Sequence, residues 1–172
     1  MSMILVFLIG FLNLLGEATW LRSLTIINIA PNLSLILVVV WGILQGNTRG
    51  RILGMWIGLL QDILFCRFIG FYALIYYLLG HFSGYFNKDF YQENFLLPLA
   101  VVVVSDLIYG LLQYLIYHFF LGDLQIGYYF LHRILPEVCY TALVCLPLYP
   151  LLRLLSHGMK RIDGLFVRRQ KE

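Results

Sequence analysis

Two aspartates within strongly apolar stretches are the residues of this sequence best placed to carry chemistry. Asp62 follows Gln61 near the end of one apolar run, and Asp106 lies in the middle of another. A charge at the centre of a bilayer costs about 3 kcal/mol or more, so each acid needs a partner, water or a proton. They could form a proton or substrate relay, or they could be packing groups hydrogen-bonded to neighbouring helices. Packing is favoured, because few prolines are available to break helices at the midplane as transporters do.

The sequence has no pattern typical of a catalytic or metal site. Its four histidines have no paired spacing, its serines lack a G-x-S-x-G context, and its three cysteines form no C-x-x-C pair. We therefore expect no enzymatic activity, no cofactor and no metal.

The composition indicates that lipid rather than water surrounds most of this chain. Of 172 residues, 61% are hydrophobic and 12% are charged, and that charged share is about half the share in a soluble domain. The formal charge is +3, but the basic residues gather at the ends of apolar runs and after Leu155. That placement argues against nucleic-acid binding. We predict an all-α integral membrane protein.

Six apolar runs predict a bundle of six transmembrane helices. If the N-terminus is cytoplasmic, nine Lys and Arg residues lie inside and three outside, which favours both termini in the cytoplasm. We place a transmembrane domain at residues 1–156 and a basic cytoplasmic tail at residues 157–172. The predicted spans are residues 2–20, 29–45, 52–66, 70–86, 95–120 and 134–155.

Small and polar residues recur at helical spacing inside these runs. Gly54, Gly58 and Asp62 share one face of the third run, with Gln61 beside it. Such a face allows close approach of a second helix and directs the carboxylate into protein. Asp62 and Asp106 are expected at a shared depth, where they could face each other. Comparable stripes are Gly10, Asn13 and Glu17; Gly80 and Gly84; and Asp106, Gly110, Gln113 and Tyr117.

Several motifs together resemble a known family. They are the Pro31-Asn32 pair ahead of an apolar run, the stretch from Gly54 to Asp62, Gly70 with the four residues after it, and the late Leu135-Pro136 pair. On these motifs, which extend over nearly the whole chain, the sequence is similar to the MreD family of bacterial rod shape-determining proteins.

The resemblance implies a non-enzymatic subunit of the cell-elongation complex in the bacterial inner membrane. Such a subunit binds and positions an MreC-like single-span partner for lateral peptidoglycan synthesis. It is linked indirectly to MreB, RodA and a class B penicillin-binding protein, contacts membrane lipid, and could form a homodimer. No nucleic acid is implied.

The same resemblance implies a six-helix fold like that of the substrate-binding subunits of energy-coupling factor transporters. The alternative function is therefore a small-molecule, vitamin-like binding or transport subunit, with Asp62 and Asp106 lining an intramembrane pocket.

The motifs and the intramembrane acids define the candidate site. Glu137, one of the charged residues that gather toward the outer side of the membrane, is included with them. The candidate packing or functional residues are Pro31, Asn32, Gly54, Gly58, Gln61, Asp62, Gly70, Asp106, Pro136 and Glu137.

Overall fold

The computed structural model describes Phe7, Leu8, Gly10–Asn13, Gly16 and residues 29–65, 70–87, 95–121 and 126–169. These residues form an all-helical structure, which confirms the predicted all-α class for the described part of the chain. The helices are α1 (Leu33–Gln45), α2 (Asn47–Phe65), α3 (Phe71–Ser83) with a 3-10 turn (Gly84–Asn87), α4 (Leu96–Leu121), α5 (Ile126–Tyr129), a π-helical turn (Phe130–Ile134) and α6 (Leu135–Arg169).

These helices lie at the positions of the second to sixth predicted spans, but their ends differ. The helix of the second run begins at Leu33, because Asn32 caps it there. The last helix continues beyond residue 156 to Arg169, and therefore runs into the predicted basic tail.

The apolar helix α1 lies at the centre of the bundle. Its residues from Ser34 to Leu44 are all buried, and it packs against α2, α3, α4 and α6. A helix that is apolar on all sides is stable only when other elements surround it. Its 13 residues extend about 20 Å, less than the roughly 30 Å of bilayer hydrocarbon.

Two helical stretches within the described ranges are long and apolar enough to cross a bilayer unaided. They are Leu96–Leu115 and Gly127–Gly158. The outer faces of the bundle also expose many large apolar side chains, a surface that favours lipid over water. Those more than half exposed include Ile63, Leu64, Leu74, Phe82, Leu96, Leu115, Leu143 and Leu154.

The described residues of the first run contact α1 and α2. The Asn13 amide donates to the Ser34 hydroxyl over 3.0 Å. A Cβ on Gly10 would lie 3.1 Å from the Ile57 side chain, so the two helices approach closely there. Glu17, the third member of the predicted stripe on this run, lies outside the described residues.

Helices α2 and α3 form the most extensive helix pair of the structure. Their backbones touch along a line of glycines. A Cβ added at these positions would overlap backbone atoms of the other helix. Close backbone approach at small residues is a main source of helix association in membranes. The predicted glycine stripes of the third and fourth runs therefore pack on each other. The facing residues are Gly50 and Gly80, Gly54 and Tyr76, Gly58 and Ala73, and Asn47 and Gly84.

Replacing Gly54 by alanine tests this contact. The added methyl group meets the Tyr76 carbonyl oxygen, so the helices must separate, and we expect a loss of about 1–3 kcal/mol. The measurement is thermal unfolding of the purified protein in detergent. Gly127→Ala is the matched control, since a Cβ there meets nothing within 4 Å. Equal midpoints for the two variants would contradict the close contact.

Candidate functional site

Asp62 caps the N-terminus of α3 from the end of α2. Its side chain is fully buried. One carboxylate oxygen accepts hydrogen bonds from the Gly70 and Ala73 amides at 2.9 and 3.1 Å, and the other accepts from the Tyr72 amide at 2.9 Å. The first amides of a helix have no partner within the helix, and in lipid no water replaces it. Three donors and the positive end of the helix dipole therefore stabilise this buried acid.

Gly70 makes this cap possible. Its φ angle is +107°, in the left-handed region, which glycine adopts without the steric cost of a side chain. The turn directs the Gly70 amide back toward Asp62. Gln61, also a candidate, is half-buried on α2 beside Asp62. The stretch from Gly54 to Asp62 and the segment that begins at Gly70 thus form one unit, in which glycines join two helices and an aspartate caps the second helix.

The Pro31-Asn32 pair performs a similar function for α1. The Asn32 side-chain oxygen accepts from the Leu35 amide at 3.0 Å and from the Tyr76 hydroxyl at 3.2 Å. The Asn32 backbone amide donates to the Thr141 hydroxyl at 3.2 Å. Pro31 is buried. One asparagine therefore caps the central helix and links it to α3 and α6.

Asp106 has a different environment from Asp62. It is 2% exposed, and neither carboxylate oxygen has a hydrogen-bond partner among the described residues. Its polar neighbours are both on α6: the Thr141 hydroxyl, a group able to donate a hydrogen bond to it, and the Glu137 carboxylate, which interacts with it electrostatically. The two aspartates, which could have faced each other at a shared depth, thus interact with different groups. Asp62 accepts hydrogen bonds from the backbone of α3. The acid that interacts with Asp106 is Glu137.

A π-helical turn places Glu137 at this position. The Leu135 amide donates to the Phe130 carbonyl, five residues earlier. Pro136 has no amide hydrogen and cannot form the next helical hydrogen bond, so a wider turn is tolerated before it. Arg133 and Glu137 are four residues apart, a spacing that puts both on one helix face. They interact electrostatically.

Three tyrosine rings connect α3 to α4 beside these acids. The ring centroid of Tyr109 lies 6.0 Å from that of Tyr72 and 5.8 Å from that of Tyr76. The Gln113 amide donates to the Tyr72 hydroxyl over 3.2 Å. Gln113 belongs to one of the predicted polar stripes, whereas Tyr109 looks like ordinary packing in the sequence and is not among the candidate residues.

A small polar cavity of about 160 Å³ opens beside this layer. It is too small for most drug-sized ligands, whose pockets start at about 300 Å³. Neither Asp62 nor Asp106 lines it. Within the described ranges, no three His, Cys, Asp or Glu side chains form a group that could hold a metal ion. The cavity is lined by Ile29, Ala30, Tyr109, Gln113, Arg133 and Glu137.

A larger groove of about 490 Å³ lies between α3 and α4. These two helices contact each other at few positions, so a gap remains between their side chains. Its walls are almost entirely apolar, with Ser83, Ala100 and Ser105 as the small residues. The groove is lined by Ile75, Leu78, Leu79, Phe82, Ser83, Phe86, Leu97, Ala100, Val101, Val104, Ser105, Ile108 and Leu112.

The same substitution at the two aspartates should have opposite effects. Asp62→Asn removes the negative charge and one of the two carboxylate oxygens that accept from the three backbone amides. We expect the free energy of unfolding to fall by about 2–3 kcal/mol. Asp106→Asn replaces a buried carboxyl group, whose oxygens have no hydrogen-bond partner in the described structure, with a neutral amide, so stability should stay equal or rise. Thermal unfolding in detergent measures both. A larger loss for Asp106→Asn than for Asp62→Asn would overturn these assignments.

Comparison with known proteins places the chain in a family. No curated protein and no solved structure matches it. The family model of the rod shape-determining protein MreD matches residues 1–158. The match includes both caps, the glycine contact between α2 and α3, and the start of α6. The chain therefore belongs to the MreD family, membrane proteins with a role in determining rod shape.

Proposed function

We propose that this protein is a non-enzymatic scaffold of the cell-elongation complex that holds the transmembrane helix of an MreC-like single-span partner. The observation that carries the proposal is the apolar groove between α3 and α4. Through the partner, the scaffold positions lateral peptidoglycan synthesis and is linked indirectly to MreB, RodA and a class B penicillin-binding protein.

The dimensions of the groove fit one helix. Along α4 it extends from Leu97 to Leu112, about 22 Å at roughly 1.5 Å per residue. Three large side chains on its walls, Phe82, Val104 and Ile108, are 58%, 54% and 45% exposed. A helix placed between them would cover all three.

The floor of the groove favours a helix over lipid chains. Helices associate in lipid through close packing and hydrogen bonds rather than through the hydrophobic effect, and small residues permit the close packing. Ser83 and Ser105 are buried at the base of the groove, and Ala100 lies on its rim. These three small residues leave room for a partner backbone to approach.

The co-purification of an MreC-like partner tests this function. Ala100→Trp fills the groove, and we expect it to reduce the amount of partner recovered at least tenfold after mild detergent extraction. Leu143→Trp is the matched control, because Leu143 is 63% exposed on α6 and does not line the groove. Both variants should accumulate to the same level as the wild-type chain.

Either of two outcomes would contradict the scaffold proposal. In one, the wild-type chain migrates alone while the partner from the same cells is present and soluble. In the other, Ala100→Trp retains as much partner as Leu143→Trp does.

We also propose a topology of six spans with both termini in the cytoplasm, made up of residues 1–156 and followed by the basic tail at 157–172. What supports it is the excess of Lys and Arg on the loops assigned to the inside and on the tail.

Cysteine labelling from outside intact cells tests this topology. In a background without Cys139 and Cys145, a membrane-impermeant reagent should label Cys66, the last residue of the third span. It should label Lys171→Cys only after the cells are opened. Labelling of both positions from the same side would exclude the six-span arrangement.

A further inference from the structure

Tyrosine contacts join helices α3 and α4 at one end of the apolar groove. The ring centroid of Tyr109 on α4 lies 6.0 Å from that of Tyr72 on α3. The Gln113 amide also donates to the Tyr72 hydroxyl over 3.2 Å. The groove ends beside these contacts, at Ile75 on α3 and Leu112 on α4. The tyrosine contacts therefore mark the closed end of the groove.

The opposite end of the groove lies where α3 and its 3-10 turn meet the loop that leads to α4. Phe86 and Leu97 line it there, and Phe82 and Phe86 expose their rings beside it. The loop contains Lys88, and the proposed topology assigns it to the cytoplasm. The groove thus starts at the cytoplasmic end of α4 and stops before the outer end.

We propose that the groove holds only the cytoplasmic part of the partner's transmembrane helix and leaves the outer turns of that helix in lipid. The inference rests on the proposed scaffold function and topology. From Leu97 to Leu112 the groove is about 22 Å long, or roughly four helical turns, whereas bilayer hydrocarbon is about 30 Å thick. Beyond Leu112, α4 continues to Leu121 for about 14 Å.

The walls of the groove define the face of the helix that it accepts. They are almost entirely apolar, and the Ser83 hydroxyl at the base already donates to the Gly80 carbonyl over 3.2 Å. A charged side chain buried there without a partner would be costly. The partner helix therefore has an apolar face through its four turns nearest the cytoplasm. Its outer turns can tilt in lipid while this part stays fixed.

Photo-crosslinking in cells that contain the full chain and its partner tests how far the contact extends. The photoreactive residue p-benzoylphenylalanine is introduced at Val104 or at Leu115, which are 54% and 58% exposed on α4. Their spacing of 11 residues puts them on one helix face. Val104 lines the groove, and Leu115 lies beyond its closed end. We expect a covalent adduct with the partner from Val104 and none above background from Leu115.

Three results would overturn this proposal. An equal adduct from both positions would show that the partner helix follows α4 past the tyrosine contacts. An adduct from Leu115 alone would place the partner on the outer part of α4. If neither position reacts while the partner still co-purifies with the wild-type chain, another face holds the partner. In all three cases co-purification persists, so the scaffold function survives; its own failure is recognised by loss of co-purification.

The two positions form a matched pair, because both side chains lie on the surface of the bundle and neither is part of its core. Both variants should accumulate to the wild-type level. Phe82, 58% exposed on the opposite wall of the groove, provides a second test position, where the same photoreactive residue should also capture the partner. Its failure to do so while Val104 reacts would contradict a helix held between the two walls.

Discussion

Asp62 accepts three hydrogen bonds from the first amides of α3, and the packing of the bundle depends on this cap. In a membrane no water is available to accept hydrogen bonds from these amides, so an uncapped α3 would carry several unsatisfied donors. The carboxylate in turn tolerates full burial because it lies at the positive end of the helix. Each group removes the cost of burying the other. The cap also fixes the register in which the glycines of α2 meet the backbone of α3.

From the pair of helices α2 and α3, polar contacts extend to the other helices. α3 presents Tyr76 to Asn32, and Asn32 caps the central helix α1 while reaching Thr141 on α6. The opposite face of α3 forms one wall of the apolar groove. The proposed scaffold function needs this wall to be rigid, because a helix that shifts along its axis would not keep a partner in one position. The Asp62 cap and the wall of the groove therefore belong to the same helix, α3.

Part of this arrangement could be read from the sequence. Glycine spacing predicted a close helix contact through Gly54 and Gly58, and composition predicted an all-α class. Asp62 is hydrogen-bonded to a neighbouring helix, as the favoured packing interpretation predicts. A pattern shows which side chains share a face but not that the partners are the first backbone amides of α3. Glu137 came to lie beside Asp106 through a π-helical turn, which sequence periodicity assumes to be absent. The central position of α1 was also missed, since a buried helix and a membrane span look alike in composition. The number of spans and their orientation stay predictions.

Hydrogen exchange at the start of α3 tests the Asp62 cap most directly. The amides of Tyr72 and Ala73 should exchange slowly in the wild-type protein in nanodiscs and at least tenfold faster in Asp62→Asn. In Asp106→Asn, which leaves the cap intact, their exchange should match the wild type. If the two amides exchange at the same rate in all three proteins, Asp62 does not cap the N-terminus of α3, and the packing of α2 on α3 does not depend on it.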